Sequence, residues 1–393
     1  MKRCFAIFCL GLFITVPKTT FGQTSEILEN INLNKPKDSI LSKALMQSIE
    51  NFYNAAQKPN VENNYLLPSD KMGTYLLLDE LQGIEKSGRF KNNNFYKPYI
   101  TSLVPIDSMT FLVKLQNVGI HEQIPVISSS FEFLAHKSQD TVLFSSTLKR
   151  NTVIWKKMQK QNTTIYFKEK INKKEIDKYL NLVTLFDKKL ENKPKATEIY
   201  LCSDYVEAQK LIGVDYKIIY NGQKYGTLSA HDKNQLIICS GNGSSEYLSF
   251  DPHDLWHDRL SLKKPRNQVN KPVDEGCSYL YGGSWGISWR DIFVKFKTKV
   301  CKDKSIDWLS EYGKFANFGD TQETHLMAEY VINALIVQKI EKEKGFDGVW
   351  ELLDSGPYDK TGEKYFATLE KLTGINKSNF NDKVWELINT EKQ

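Results

Sequence analysis

Tyr247-Leu248-Ser249-Phe250-Asp251-Pro252-His253-Asp254-Leu255-Trp256-His257 is the stretch from which the rest of the chain can be read. Asp251 followed by Pro252 is a helix start. The aspartate side chain can accept from free N–H groups of the first turn, and proline at the first helical position loses nothing by lacking an N–H. The helix that begins there carries His253 and His257 four residues apart. At about 100° per residue they stand about 40° apart around the axis and one turn apart along it, so both imidazoles can converge on one metal ion. Asp254 sets a carboxylate beside the first histidine. A second helix start, Pro272-Val273-Asp274-Glu275-Gly276, brings Glu275 eighteen residues after His257. Two histidines and a glutamate form a standard ligand set for a catalytic zinc ion, with a fourth position left for water.

These two segments resemble the gluzincins, the family that includes thermolysin-like and aminopeptidase-like metallopeptidases. The family signature is H-E-x-x-H on one helix and a zinc-binding glutamate on a following helix, often within E-G-x-x-x-Y-x-G-G. Here Glu275-Gly276-Cys277-Ser278-Tyr279-Leu280-Tyr281-Gly282-Gly283 stands in the second place. Working outward, an edge strand from Gln235 to Cys239 and a loop, Ser240-Gly241-Asn242-Gly243, precede the histidine helix. A long amphipathic helix from Thr324 to Ile340 follows, and then Gly345-Phe346-Asp347-Gly348-Val349-Trp350-Glu351-Leu352-Leu353, similar to the helical tail of such domains. The similarity extends over roughly Thr152 to Ile388, and only the two ligand segments are specific.

The resemblance implies Zn2+ held by His253, His257 and Glu275, acting as a Lewis acid on a carbonyl and lowering the pKa of its bound water. It implies a general base directly after the first histidine, and that position is Asp254 rather than glutamate. Aspartate is one methylene shorter, about 1.5 Å of reach, and a misplacement near 1 Å can lower a rate by ~10²-fold. Two functions therefore stand side by side. One is an exported zinc-dependent peptidase that hydrolyses peptide bonds with metal-activated water. The other is a catalytically weak or inactive pseudo-peptidase that binds a peptide or glycan in the same cleft. His325 and Tyr330, on the expected downstream helix, are by the same resemblance candidates for stabilising a tetrahedral oxyanion. Asp258 either orients a ligand or faces solvent, and Asp274 either caps its helix or supports a ligand, capping being the simpler account. Tyr279, Tyr281, Trp285 and Trp289 either line a cleft or belong to the core.

The chain begins with Lys2 and Arg3, an apolar run from Cys4 to Val16, and small residues at Thr20 and Gly22. This is the pattern of a Sec signal peptide over residues 1–22 and implies a periplasmic or secreted protein. No window reaches the eighteen or more apolar residues of a membrane span. The remaining ~370 residues are enough for two domains. The expected fold class is α+β: a small helix-plus-antiparallel-sheet module over 23–150, then a gluzincin-like mixed sheet and helical domain over 151–393.

The first module reads as a helix from Asp38 to Phe52 and short β-rich runs from Tyr99 to Phe144. It looks faintly like a nuclear-transport-factor-like cone fold, with no motif residue behind that likeness. The second half alternates: a strand at Thr163 to Phe167, a helix at Lys174 to Leu190, a strand at Glu198 to Cys202, a helix at Val206 to Ile212, and the Gln235 strand. Once the leader is removed, Cys202, Cys239, Cys277 and Cys301 remain, either as up to two disulfides, Cys277 to Cys301 being closest in sequence, or as buried free thiols.

From Lys149 to Lys195 there are 14 Lys or Arg against 5 Asp or Glu, a local excess of +9 in a chain whose total is +6. A solvated helix face accounts for such a run better than an anionic partner does. The expected partner is a peptide or protein substrate, not nucleic acid.

Overall fold

Asp38 starts the first long helix as the sequence requires, its Oδ1 accepting from the N–H groups of Ile40 (2.9 Å) and Leu41 (3.2 Å). The computed structural model describes residues 26–138, 141–243, 248–320 and 324–391, so the signal peptide expected over 1–22 lies outside the described residues. The fold class is the expected α+β, with two mixed sheets and a helical C-terminal region. The chain divides into two compact units, one running to Thr147 with Gly213–Asn221 added, the other comprising Leu148–Ile212 and the rest from Gly222.

In the first unit, β1 (Leu28–Glu29) is followed by α1 (Ser39–Ala55), α2 (Lys71–Leu81) and the strands β2 (Lys97–Pro105), β3 (Thr110–His121), β4 (Ile124–Ser138) and β5 (Thr141–Ser145). Apart from the parallel β1–β2 pair, β2 to β5 form an antiparallel meander in sequence order. Leu45, Ile49, Phe52 and Tyr53 on α1 are buried, with Phe52 stacked on Phe144 at 4.6 Å between ring centroids.

A later strand, β9 (Val214–Lys217), returns to pair with β4. The return requires Gly213, at φ +96°, because a Cβ there would stand 1.9 Å from the Glu132 carbonyl oxygen. The buried Lys217–Glu80 ion pair (2.6 Å), with the Tyr220 hydroxyl donating to Glu80 (3.0 Å), then holds the excursion in place.

The second unit contains α3 (Leu148–Asn151), β6 (Lys156–Lys160), β7 (Thr163–Phe167), α4 (Lys173–Leu190), β8 (Ala196–Leu201), α5 (Tyr205–Ile212), β10 (Thr227–His231) and β11 (Gln235–Ser240). Its sheet order is β10-β11-β8-β7-β6, with β11, β8 and β7 parallel and both edges antiparallel. The expected edge strand at Gln235 is therefore interior, and the edge is β10. Leu236, Ile237 and Cys239 are buried on both faces, as a central strand is. The short alternation Thr-Leu-Ser-Ala-His of β10 is too weakly apolar to be read as a strand.

The helical part comprises α6 (Pro252–Ser261), α7 (Lys271–Gly282), α8 (Trp289–Lys299), α9 (Trp308–Glu311), α10 (Ala328–Leu353), α11 (Glu363–Thr373) and α12 (Phe380–Thr390). One apolar core runs through it, with Trp256, Val273, Cys277, Ile336 and Leu352 among its members. Helix α7 approaches α10 at Gly276, where a Cβ would meet the Ala334 nitrogen and Asn333 at 2.8 Å. Helix α10 begins at Ala328 rather than Thr324, since Leu326 donates to Asn317 Oδ1 (2.9 Å) and Met327 bridges to Asn317 in extended form. His325 thus precedes the helix on which the sequence places it.

The four cysteines are free and buried, so neither disulfide is formed. Part of the basic excess is neutralised locally, Lys160 pairing with Asp177, Lys168 with Glu207 and Lys189 with Glu341. No described helix is long and apolar enough to cross a membrane.

Glu329 on α10 illustrates a buried charge with incomplete partners. It is 5% exposed, its Oε1 accepts from the Gly313 N–H (3.2 Å), and Oε2 has no partner. Burial pushes its carboxyl up to about 7, outweighing the Gly313 bond and the Lys271 charge. Because the folded value is raised, this group's contribution is full below the unfolded pKa near 4.5 and is lost as pH rises through about 7. Chemical denaturation at pH 5 and pH 8 should then differ by up to about 3 kcal/mol through this group. Glu329→Gln is expected to remove most of that difference, and an unchanged pH slope in the variant would contradict the assignment.

Candidate metal centre

Asp251 caps α6 through a bond from the His253 N–H (2.9 Å), and Pro252 occupies the first turn, so the helix starts where the sequence requires. His253 and His257 then leave α6 on one side and meet Glu275 from α7. His253 Nε2 stands 3.2 Å from His257 Nε2 and 3.4 Å from Glu275 Oε2, and His257 Nε2 is 3.6 Å from the same oxygen. Four ligands around zinc at 2.0–2.1 Å would be separated by about 3.3–3.4 Å, the edge of that tetrahedron. The three donor atoms already have that spacing.

The outward nitrogens determine which way the imidazoles are protonated. His253 Nδ1 faces the Gly283 carbonyl at 2.9 Å, and His257 Nδ1 faces Asp274 Oδ1 at 2.8 Å. A carbonyl and a carboxylate can only accept, so both Nδ1 atoms donate and both Nε2 lone pairs turn inward. Two lone pairs 3.2 Å apart repel unless a proton or a cation stands between them, and the Arg266 guanidinium already reaches the His257 Nε2 at 3.3 Å through Nη2. The donor set therefore fits a metal ion, and the group could hold one.

Asp274 is the correction to the simpler sequence account. The N-cap of α7 is Asn270, whose side chain accepts from the Val273 N–H (3.4 Å), and Asp274 is buried behind the ligands. Its Oδ1 accepts from His257 Nδ1 and from Trp256 Nε1 (3.1 Å), and its Oδ2 accepts from Arg266 Nε (2.9 Å). Arg266 also donates to Glu275 Oε1 at 3.1 Å, leaving Oε2 to the histidines. No periodic or spacing signal singles out Arg266, since it lies in a 3-10 turn joined to the site only through space.

Burial works against a charge on His257, but hydrogen bonds to Asp274 and Glu275 outweigh it and push the imidazole up to about 9. Glu275 is buried too, yet bonds from both imidazoles hold it well below the usual carboxylate range. Without metal the site is thus a proton-stabilised ion cluster, and a metal ion would replace the proton. Asp274→Asn is expected to lower metal affinity ~10–100-fold while leaving the ligands in place, because the His257 Nδ1–H loses its charged acceptor. Zinc titration against a competing chelator measures this, and an unaltered affinity would remove Asp274 from the site.

The other candidates separate. Asp254 and Asp258 are exposed on α6, and both line a cavity of about 400 Å³ beside His257 and β10. Tyr330 packs edge-on against Tyr279 (5.5 Å), which in turn lies 5.8 Å from the His253 ring. Burial first, then the Glu275 carboxylate, raise the Tyr330 hydroxyl well above its ordinary value, so it stays protonated at neutral pH. His325 contributes its main chain: its carbonyl accepts from the Tyr279 hydroxyl (3.4 Å) and Trp285 Nε1 (3.1 Å), while its ring is exposed beside Trp285. Of the aromatic group, Tyr279 is core, Tyr281 and Trp289 are half-buried, and Trp285 is 56% exposed.

Compared with family models, with curated proteins and with solved structures, the chain matches none.

Proposed function

We propose that the protein is an exported zinc-dependent peptidase whose metal is held by His253, His257 and Glu275. The observation that carries this reading is the convergence of two imidazole Nε2 atoms and one carboxylate oxygen at 3.2–3.6 Å, with both Nδ1 atoms already engaged. Zinc in such a site supplies Lewis-acid polarisation of a carbonyl and a water that deprotonates near neutral pH.

The chain's own residues have separable tasks. Asp254, next to His253 and exposed in the cavity wall, receives and returns a proton. Tyr330, protonated at neutral pH, donates a hydrogen bond to developing negative charge. Arg266 keeps Glu275 and Asp274 in position. The edge strand β10, whose Thr227, Ser229 and His231 line the same cavity, offers backbone groups with which an extended peptide can pair. Export rests on the pattern of residues 1–22.

The second reading, a pseudo-peptidase that binds without cleaving, is favoured by one feature, the short reach of Asp254. Metal analysis of the purified mature protein, paired with a peptide-library digest with and without chelator, tests the first reading. Stoichiometric zinc and chelator-sensitive cleavage are the expected results, and absence of both sinks it. Asp254→Glu separates the two readings: a large gain of hydrolysis marks the native site as inactive, whereas a loss marks Asp254 as the working base.

A further inference from the structure

We infer that the cavity beside the metal ligands is a subsite for a cationic side chain, lysine or arginine, with Asp258 as its specificity-determining residue. The inference rests on the peptidase reading for the occupant being a peptide, while the charge argument stands on the cavity alone. The volume, about 400 Å³, is ample for one long side chain. Its apolar wall includes Leu236, Ile238, Leu248 and Leu255, with the Tyr179 and Phe250 rings, a surface that suits the methylene stem of lysine or arginine.

Among the carboxylates and guanidinium groups that line the cavity, two are left over. Asp251 is occupied as the cap of α6. Arg259 is forked onto Asp187, by Nε at 2.8 Å and Nη2 at 2.6 Å. Arg266 is engaged by Asp274 and Glu275, and His257 by Asp274. Lys178 sits 5.7 Å from the centre of the Phe250 ring and forms no ion pair with either aspartate. Asp254 and Asp258 remain, four residues apart on one face of α6 and both lining the cavity, with no side-chain hydrogen bond or ion pair among the described residues. Like charges at that spacing repel, and a cation beside Asp258 relieves the repulsion while leaving Asp254 to exchange the proton.

A second observation comes from the opposite wall. Ser240, at the end of β11, is 5% exposed and lines the same cavity, and its hydroxyl has no hydrogen-bond partner among the described residues. Its neighbour across the β10–β11 pair, Thr227, is already occupied by Asn242 Nδ2 at 2.8 Å. A buried hydroxyl left open toward a cavity is an acceptor waiting for a ligand donor. The Asp258 carboxylate and one hydroxyl beside an apolar sleeve match an ammonium or guanidinium at the end of an aliphatic stem.

The test is calorimetric binding of acetyl-Ala-Ala-Lys-Ala-Ala-amide and of the same peptide with norleucine or glutamate in place of lysine, using the full mature protein with chelator present so that none of the peptides is hydrolysed. The lysine peptide should bind about tenfold more tightly. In Asp258→Asn the advantage should fall to under about threefold, and Asp258→Lys should favour the glutamate peptide instead. Asp258 is exposed, so both variants should fold, and circular dichroism verifies it. Equal binding of the two peptides, or an undiminished preference in folded Asp258→Asn, overturns the inference. Binding is read without turnover, so the two readings fail separately. A protein that purifies without zinc and without activity yet prefers lysine through Asp258 sinks only the peptidase reading. Cleavage indifferent to lysine sinks only the subsite.

Discussion

Replacement of His257 by alanine is expected to abolish stoichiometric metal binding. Structural zinc contributes ~10–16 kcal/mol through four ligands, or about 3 kcal/mol for each, so losing one imidazole should weaken binding by roughly a hundredfold to a thousandfold. Of the three candidate donors His257 has the strongest support, because Asp274 orients it from behind and Glu275 meets its Nε2 in front. Its removal also strands Asp274, which keeps only Trp256 and Arg266 as donors. A chelator-competition titration would measure the affinity, and a thermal scan with added zinc gives a second reading. Wild type should gain about 4 kcal/mol at a thousandfold excess of metal over Kd, and the variant should gain almost nothing. An equal thermal shift in both proteins would mean that the metal binds elsewhere.

Trp256→Ala should produce the largest loss of stability. The side chain is fully buried between Phe186 (5.5 Å), Tyr281 (5.0 Å) and Phe346 (6.1 Å), on the helix that carries both histidines. Removing it forfeits the transfer energy of the indole and leaves a cavity, about 3–5 kcal/mol together, or ~10 °C in Tm for a unit of this size. Asp274 loses one of its donors as well. Metal affinity should fall with stability, since the cavity opens directly beneath α6. Trp256→Phe retains most of the volume and loses only the N–H bond, so it should lie between the two in both measurements. If Trp256→Ala melted within a degree or two of wild type, the packing beneath α6 would not be what positions the histidines.

Much of the candidate centre was legible because its information is local. Asp251-Pro252 starts a helix wherever it stands before a helix-forming run, and two histidines four residues apart on it must face one way. The likeness of the Glu275 segment to a known ligand helix supplied the third donor. The structure departs from the local signals where local options compete. Asp274 could cap α7 from its position, but Asn270 takes that role, and the freed carboxylate turns to His257, Trp256 and Arg266. His325 was placed on a helix by apolar spacing, while its segment is held extended by Asn317.

By itself, then, the sequence determined the elements and the ligand types: an α+β chain, a capped helix with His253 and His257 on one side, and a glutamate on the next helix. The tertiary structure decided which strand forms the sheet edge, why Gly213–Asn221 returns to the first unit, and which carboxylates and guanidinium surround the group that could hold a metal ion. The physical reason is range. A cap or a helical spacing is set by dihedral angles and hydrogen bonds within one or two turns. The partners of Asp274, by contrast, are set by close backbone approach between elements, at Gly276 against α10 and at Gly282, where a Cβ would meet the His253 nitrogen at 2.6 Å. Such approaches exist only once the helices have packed.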